Sequence, residues 1–128
     1  MALLLDTHAF LWFVSGDRKL PASFRDKIKD INQPCFLSAA SLWEITIKKQ
    51  LGKLVLNISL EELFEFIERN QIEIIQITLD HLVTLLKLPN HHSDPFDRLI
   101  ISQAISENLI LLSRDKEITK YIVKHQWK

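Results

Sequence analysis

The chain of 128 residues has one cysteine, Cys35, two glycines and four prolines. A single thiol excludes a disulfide scaffold and a cysteine-based zinc site, and it favours a reducing compartment, which we expect to be the cytoplasm. Scarce glycine and proline predict short loops and a largely helical chain. No apolar run approaches the roughly 20 residues that span a bilayer, and the start, MALLLD, is too short for a signal peptide. We therefore expect a soluble protein without membrane contact.

The chain also lacks an excess of charge of either sign. Lys and Arg total 16, as do Asp and Glu, so the formal net charge is +0. A protein that coats nucleic acid non-specifically usually carries surplus positive charge, so this balance argues against that class but not against an enzyme that binds phosphates locally. With 47% hydrophobic residues, the chain can bury one core, and we expect residues 1–128 to form a single domain.

Short apolar runs alternate with helical patterns along the chain. Four runs predict strands, at 3–5, 35–37, 72–77 and 109–112. Strands that are apolar on both faces and separated by helices are typical of a parallel sheet with helices on both sides. Capping residues and apolar spacing predict helices at 21–31, 41–51, 59–70, 78–88 and 94–108, with further helices beginning near residues 7 and 116. The order of elements predicts an α/β fold.

Acidic residues occur where a parallel sheet brings the carboxyl ends of its strands together. Asp6 and Asp115 follow the first and last of these strands, Asp97 lies in the first turn of a helix, and Glu44 lies about two turns beyond the second strand. We expect these four carboxylates to converge on one edge of the sheet. A hard cation such as Mg²⁺ or Mn²⁺ would remove their mutual repulsion, since oxygen ligands suit these ions. Such a site can activate water for attack on a phosphodiester.

Each of these acids also has a purely structural interpretation. Asp6 and Asp115 could cap the helices that they precede, and Asp97 could belong to a capping arrangement at the start of its helix. Glu44 could form a surface ion pair with Lys48, one turn later. The apolar neighbours of Glu44 make full exposure of its side chain less natural.

Four blocks of sequence resemble one known family. The blocks are LLLDTH at 3–8, SAASLWE at 38–44, DPFDRLIISQA at 94–104 and LLSRD at 111–115. They resemble the PIN domain, and among PIN domains most of all the VapC toxins of bacterial type II toxin–antitoxin pairs. The resemblance covers about residues 2–123. It implies a three-layer α/β/α fold with a central parallel sheet, and a metal-dependent ribonuclease site.

The resemblance also assigns roles to individual side chains. It implies that four acids are both the catalytic residues and the ligands of Mg²⁺ or Mn²⁺: Asp6, Glu44, Asp97 and Asp115. Three hydroxyl residues would support the ligands or a water molecule: Thr7, Ser38 and Ser113. Asp94 does not match a ligand position of the family, and we interpret it as the N-cap of its helix.

The implied function is that of an endoribonuclease toxin that hydrolyses RNA with a metal-activated water, forms a homodimer and is inhibited by a cognate antitoxin protein. Arg98, Arg114 and Lys48 are candidates for contact with RNA or the antitoxin. The alternatives are ion pairs between the arginines and the acids, and a solvated helix face for the lysine. A non-catalytic PIN-like interaction module is the alternative function. A phosphatase of the haloacid dehalogenase type is disfavoured because His8 stands where its second acid would be.

Two further groups suggest binding but also suit structural roles. His91 and His92 are adjacent in a loop, where two histidines rarely face one ion, so we do not expect them to form a metal site. Trp12, Phe13 and Trp43 could stack on bases, but their helical positions favour contacts in the core or between subunits.

Overall fold

A central sheet of five parallel strands organises the computed structural model, which describes residues 2–127. The strands lie in the order β3-β2-β1-β4-β5. Their bounds are β1 (Leu3–Leu5), β2 (Cys35–Ser38), β3 (Glu73–Ile75), β4 (Ile110–Leu112) and β5 (Lys124–Gln126). The predicted parallel sheet is confirmed.

Within residues 2–127, six α-helices flank this sheet. They are α1 (Thr7–Ser15), α2 (Ala22–Lys29), α3 (Ala39–Gln50), α4 (Leu60–Arg69), α5 (Leu79–Leu86) and α6 (Pro95–Ser106), and a short 3-10 helix (Lys116–Lys120) precedes β5. Together they give the predicted three-layer α/β/α arrangement. No helix in the described part of the chain is long and apolar enough to cross a bilayer.

The central strand β1 divides the core into two halves. Leu3 and Leu5 pack on one face of the sheet in a cluster with α1, α2 and α4, whereas Leu4 packs on the other face in a cluster with α6. Because successive side chains of a strand point to opposite faces, a strand buried on both sides must be apolar throughout. This requirement explains the unbroken run of leucines at the start of the chain.

Helix starts follow the capping residues in the sequence. Asp94 accepts hydrogen bonds from the backbone N–H groups of Phe96, at 2.8 Å, and Asp97, at 3.4 Å, so its prediction as an N-cap is confirmed. Ser38 accepts a hydrogen bond from the Ala40 N–H at 3.0 Å, and α3 therefore begins two residues before the predicted start at 41.

The two edge strands differ from the prediction. β5 was not predicted, because its sequence, KHQ, contains no apolar run. β3 is shorter than the predicted strand at 72–77, and both Glu73 and Ile74 are exposed. The expectation that every strand is apolar on both faces is therefore wrong at the two edges of the sheet, where fewer neighbours cover the strand.

Candidate active site

A cavity of about 240 Å³ opens at the carboxyl edge of the sheet. Asp6, Asp97 and Asp115 line it, together with His8 and Ser113. Asp6 follows β1 directly, Asp115 follows β4 after two residues, and Asp97 lies in the first turn of α6. The parallel topology thus brings together three of the four acids that the sequence singled out.

Asp6 combines the capping position with a place in the cavity. Its Oδ1 accepts a hydrogen bond from the Ala9 N–H at 2.7 Å, and the Ser113 hydroxyl donates another to the carboxylate. Burial raises the pKa of Asp6, and these two hydrogen bonds offset only part of the effect. The Ser113 oxygen in turn accepts a hydrogen bond from the Asp115 N–H at 3.1 Å. One buried hydroxyl therefore connects two of the acids.

The charge of the Asp97 carboxylate is compensated by no hydrogen bond from residues 2–127. Burial raises the pKa of Asp97 from 3.8 to about 6, and the negative charges of Asp94, Glu44 and Asp6 add to this rise. Within the described chain, no residue donates a hydrogen bond to its carboxylate. A carboxylate that is partly buried and near other acids favours either a proton or a cation.

Asp115 is held by His92, a residue that was not predicted to belong to the site. His92 Nε2 lies 2.6 Å from Asp115 Oδ2, and His92 Nδ1 lies 2.9 Å from the Tyr121 hydroxyl oxygen. Burial by itself would raise the pKa of Asp115. The hydrogen bonds from His92 and the Glu117 N–H have the larger combined effect, so the pKa is lowered. The bond from Glu117 also makes Asp115 the cap of the 3-10 helix. The signal in the sequence was the pair of histidines just before the DPFDR block.

Glu44 lies beside the cavity rather than in its lining. Its side chain is buried, Oε1 accepts a hydrogen bond from the Thr7 hydroxyl at 2.8 Å, and Oε2 lies 2.7 Å from Lys48 Nζ. This hydrogen bond to Glu44 raises the pKa of Lys48. The ion pair considered from the sequence is therefore present, but its interpretation as a surface pair is wrong because the carboxylate is buried.

The arrangement of the acids defines what the site can bind. In the part of the chain that the structure describes, no three side chains of His, Cys, Asp and Glu are grouped to hold one metal ion as they stand. Nevertheless, a set of carboxylate oxygens without cysteine suits a hard cation such as Mg²⁺ or Mn²⁺. The raised pKa values of Asp6 and Asp97 show negative charge that such a cation would neutralise. The donor chemistry therefore fits a divalent ion.

The remaining candidate residues have structural contacts. Arg98 donates hydrogen bonds to the carbonyl oxygens of residues 88, 89 and 92, which fastens the loop before α6. Among residues 2–127, neither Arg98 nor Arg114 forms the ion pair with an acid that was considered as an alternative. Arg114 is exposed, and its guanidinium lies 5.8 Å from the centre of the Trp12 ring. Ser38 lies at the start of α3 as its cap.

The aromatic residues divide between core and surface. Phe13 is buried in the core as expected. Trp43 is 59% exposed and packs edge-on against Phe96, so it does not lie in the core; the other expected position, a contact between subunits, stays a prediction. Trp12 is half-buried and packs on the core along one side only.

The fold and the acidic cavity define a class of protein: a three-layer α/β/α domain with a carboxylate site at the carboxyl edge of its parallel sheet. The PIN domain model matches residues 3–123, and the chain belongs to the PIN domain family. This is a family of nucleases, and membership supports a hydrolase that acts on nucleic acid. No curated protein sequence is significantly similar to the chain.

Solved structures share the fold at low sequence identity. VapBC2 from Rickettsia felis, bound to a DNA fragment from its promoter, matches with a TM-score of 0.76 and 18% identity over 98% of both chains. VapBC-1 from nontypeable Haemophilus influenzae matches with a TM-score of 0.71 and 19% identity over 98% of this chain and 97% of that one. A toxin–antitoxin complex from Klebsiella pneumoniae matches with a TM-score of 0.66 and 18% identity over 98% and 96%. These similarities confirm the fold predicted from the four sequence blocks.

Proposed function

We propose that the protein is a Mg²⁺- or Mn²⁺-dependent endoribonuclease and the toxin of a type II toxin–antitoxin pair. The observation that carries this proposal is the meeting of Asp6, Asp97 and Asp115 in one cavity, with Glu44 buried beside it. These four side chains would hold the ion. A divalent cation lowers the pKa of a bound water and offsets the negative charge of a phosphodiester under attack.

The chain itself orients the acids for this chemistry. The Thr7 hydroxyl holds Glu44, and the Ser113 hydroxyl joins Asp6 to the backbone of Asp115. Outer hydrogen bonds of this kind fix the direction of ligand oxygens. Since the pKa of Asp97 is about 6 in the protein without a cation, we expect cation binding to tighten as the pH rises through that value and Asp97 loses its proton.

The proposal includes two protein partners, a cognate antitoxin and a second copy of this chain. The similar structures from Rickettsia felis, Haemophilus influenzae and Klebsiella pneumoniae are toxin–antitoxin proteins, which supports a cognate antitoxin for this chain. We also propose a homodimer. Four apolar side chains of α5 support it, because they are exposed at a spacing that aligns them on one face of the helix. They are Leu79, Leu82, Val83 and Leu86.

The experiment is cleavage of total cellular RNA by the purified protein without its antitoxin. We expect cleavage with Mg²⁺ or Mn²⁺ and none with EDTA. The variants Asp6→Asn and Asp97→Asn should lose about 100-fold or more of the activity, while their far-ultraviolet circular dichroism stays native. Asp80→Asn, an exposed acid on α5, is the matched control and should cleave like the wild type. Undiminished cleavage by both site variants would reject the site.

A non-catalytic interaction module is the second candidate, and one observation favours it. Lys48 already compensates the buried charge of Glu44, and within residues 2–127 no three of the acids that could ligate a metal are placed to hold one ion as they stand. Calorimetric titration with Mn²⁺ distinguishes the two functions. A module of this kind would bind no Mn²⁺ and would cleave no RNA, whereas the nuclease would bind the ion and cleave RNA.

A further inference from the structure

A surface of aromatic rings and cations adjoins the acidic cavity on the side of α1 and β5. We call it the aromatic–cationic surface. It comprises Trp12, Lys19, Lys27, Arg114, Lys116 and Trp127. The sequence singled out Arg114 as a candidate for RNA contact and Trp12 as a residue that could stack on bases, but it did not predict the surface as a whole, because β5 and the residue that follows it complete it.

The rings pack against one another, and those of Trp12 and Trp127 are tilted by 56°. The centroids of Trp12 and Trp127 are 5.9 Å apart, and Trp127 stacks on Phe24 with a centroid distance of 5.4 Å and an interplanar angle of 23°. Phe24 is buried, whereas Trp12 and Trp127 are half-buried. Each tryptophan therefore packs on the core along one side and retains surface for a further contact.

Positive charge lies over these rings. The Arg114 guanidinium is 5.8 Å and Lys19 Nζ is 5.9 Å from the centre of the Trp12 ring, and Lys27 Nζ is 5.4 Å from the Phe24 ring. Among the described residues, none of these three cations nor Lys116 forms an ion pair with a carboxylate. The nearby acid Glu117 is paired with Lys120 instead. These four cations are therefore not neutralised by an ion pair within residues 2–127, in a chain whose net charge is zero.

The surface is continuous with the acidic cavity. Arg114 stands between Ser113 and Asp115 in the sequence, and the ring of His8, which lines the acidic cavity, lies 6.0 Å from that of Trp12. A groove of about 580 Å³, lined by Arg114, Lys116 and Trp127 among others, opens beside β5. Its volume is in the range of pockets that hold small molecules, of roughly 300–1,000 Å³, and it has room for a nucleotide.

We propose that the aromatic–cationic surface binds unpaired nucleotides of the RNA strand next to the bond that is cleaved. This proposal rests on the proposed nuclease function and adds a substrate-binding site to it. The faces of Trp12 and Trp127 stack on bases of any sequence, and the four cations contact phosphates. Bases in a duplex already stack on one another, so the surface selects single strands. An acidic peptide would use the cations but would make no stacking contact with the exposed parts of the two indole rings.

The test measures binding in EDTA, so that no cleavage takes place. Fluorescence anisotropy follows a labelled single strand of twelve uridines and a labelled duplex of the same length at several salt concentrations. The charge variant is Arg114→Gln/Lys116→Gln, at two exposed positions. Its matched control is Lys53→Gln/Lys87→Gln, which removes two exposed lysines elsewhere. The stacking variant is Trp127→Leu, with Trp127→Phe as the conservative replacement.

We expect the single strand to bind the wild type and the control equally and more tightly than the duplex. The charge variant should bind it about 5-fold or more weakly and with a shallower salt dependence, since each lost phosphate contact reduces that slope by about 0.7. Trp127→Leu should weaken binding about 5-fold or more, and Trp127→Phe should restore most of it. Equal affinities of the charge variant and its control would overturn the proposal. So would equal affinity for the duplex, or displacement of the strand by poly-glutamate at the concentrations at which unlabelled RNA displaces it.

The binding test and the cleavage test can fail independently of each other. Binding that depends on this surface, in a protein that cleaves no RNA with Mg²⁺ or Mn²⁺, would reject the nuclease and keep the binding site. Metal-dependent cleavage with the same affinity in all variants would keep the nuclease and reject the binding site.

Discussion

Glu44 and Lys48 form an ion pair in which only the cation reaches solvent. Oε2 of the glutamate lies 2.7 Å from Nζ of the lysine, and their side chains are 3% and 41% exposed, respectively. A buried carboxylate needs such a partner, because leaving it in the protein interior without one costs several kcal/mol. The same lysine is also the competitor of any divalent cation that takes Glu44 as a ligand.

Replacement of this lysine should therefore act in opposite directions on folding and on cation binding. We expect Lys48→Met to lower the free energy of unfolding of the cation-free protein by about 1–3 kcal/mol, since the buried acceptor loses its donor. The same variant should bind Mn²⁺ more tightly than the wild type, because the site becomes more negative. Thermal unfolding with and without Mn²⁺ measures both effects, and Lys53→Met, at an exposed lysine, is the control. A smaller stabilisation by Mn²⁺ in Lys48→Met than in the wild type would contradict this prediction.

The raised pKa of Asp97 predicts how stability depends on pH in the absence of a cation. In the folded protein that pKa is about 6, against an ordinary value of 3.8 for an aspartate, so between these values the folded state keeps a proton that the unfolded state has already lost. Stability therefore falls as the pH rises from about 4 to about 6, and the loss is complete above that range. Asp97→Asn carries no such charge. We expect this variant to match the wild type near pH 4 and to be more stable at pH 7, as measured by urea denaturation in EDTA.

The control for this pH dependence is an exposed acid. Glu68→Gln on α4 removes an exposed carboxylate outside the cavity lining. The difference in the free energy of unfolding between this variant and the wild type should be the same at pH 4 and at pH 7. Added Mn²⁺ should reverse the order at pH 7, because a cation stabilises the state that binds it. A wild type that is as stable as Asp97→Asn at pH 7 in EDTA would show that the charge of Asp97 is already compensated.

The sequence predicted the parts of the fold that depend on burial and capping. The leucines of β1 predict a strand covered on both faces, and Asp94 and Pro95 predict the start of α6, because these signals are local. β5 depends on its pairing with β4 rather than on its own polar sequence, so its local pattern carries no signal. Contacts between distant segments were missed for the same reason. His92 is 23 residues from Asp115, and nothing in the loop itself specifies that contact.

The apolar face of α5 allows a test of the proposed homodimer. Leu82 and Leu86 lie on the exposed face, whereas His81 lies on the opposite face and is buried near Glu107. The variant Leu82→Lys/Leu86→Lys should therefore leave the helix packed and prevent association. We expect sedimentation equilibrium to give a dimer for the wild type and a monomer for this variant. Ile122→Lys, at a residue that is 96% exposed elsewhere, should remain a dimer. A wild type that stays monomeric at high concentration would reject the homodimer.

The hydrogen bonds that run from Tyr121 through His92 to Asp115 have one consistent direction. The Tyr121 oxygen accepts the His91 N–H at 3.1 Å, so its own proton is free to go to His92 Nδ1. With Nδ1 as acceptor, the neutral ring carries its proton on Nε2, which faces Asp115 Oδ2. Tyr121 and Asp115 thus both favour the Nε2–H tautomer of His92, and His92 positions the carboxylate that we propose as a cation ligand.

Loss of the Tyr121 hydroxyl should consequently affect Asp115, although no hydrogen bond joins these two side chains directly. We expect Tyr121→Phe to reduce the rate of metal-dependent RNA cleavage about 10-fold with little change in KM, which is typical of losing an outer-sphere partner. Nitrogen-15 NMR should show His92 as the Nε2–H tautomer in both proteins, and the Nδ1 resonance should shift in the variant because that nitrogen loses its hydrogen-bond donor. His91→Gln, which retains the backbone N–H and the Tyr121 hydroxyl, is the control for packing around the ring. A variant in which both the His92 resonances and the cleavage rate are unchanged would show that the Tyr121 hydroxyl does not act on Asp115.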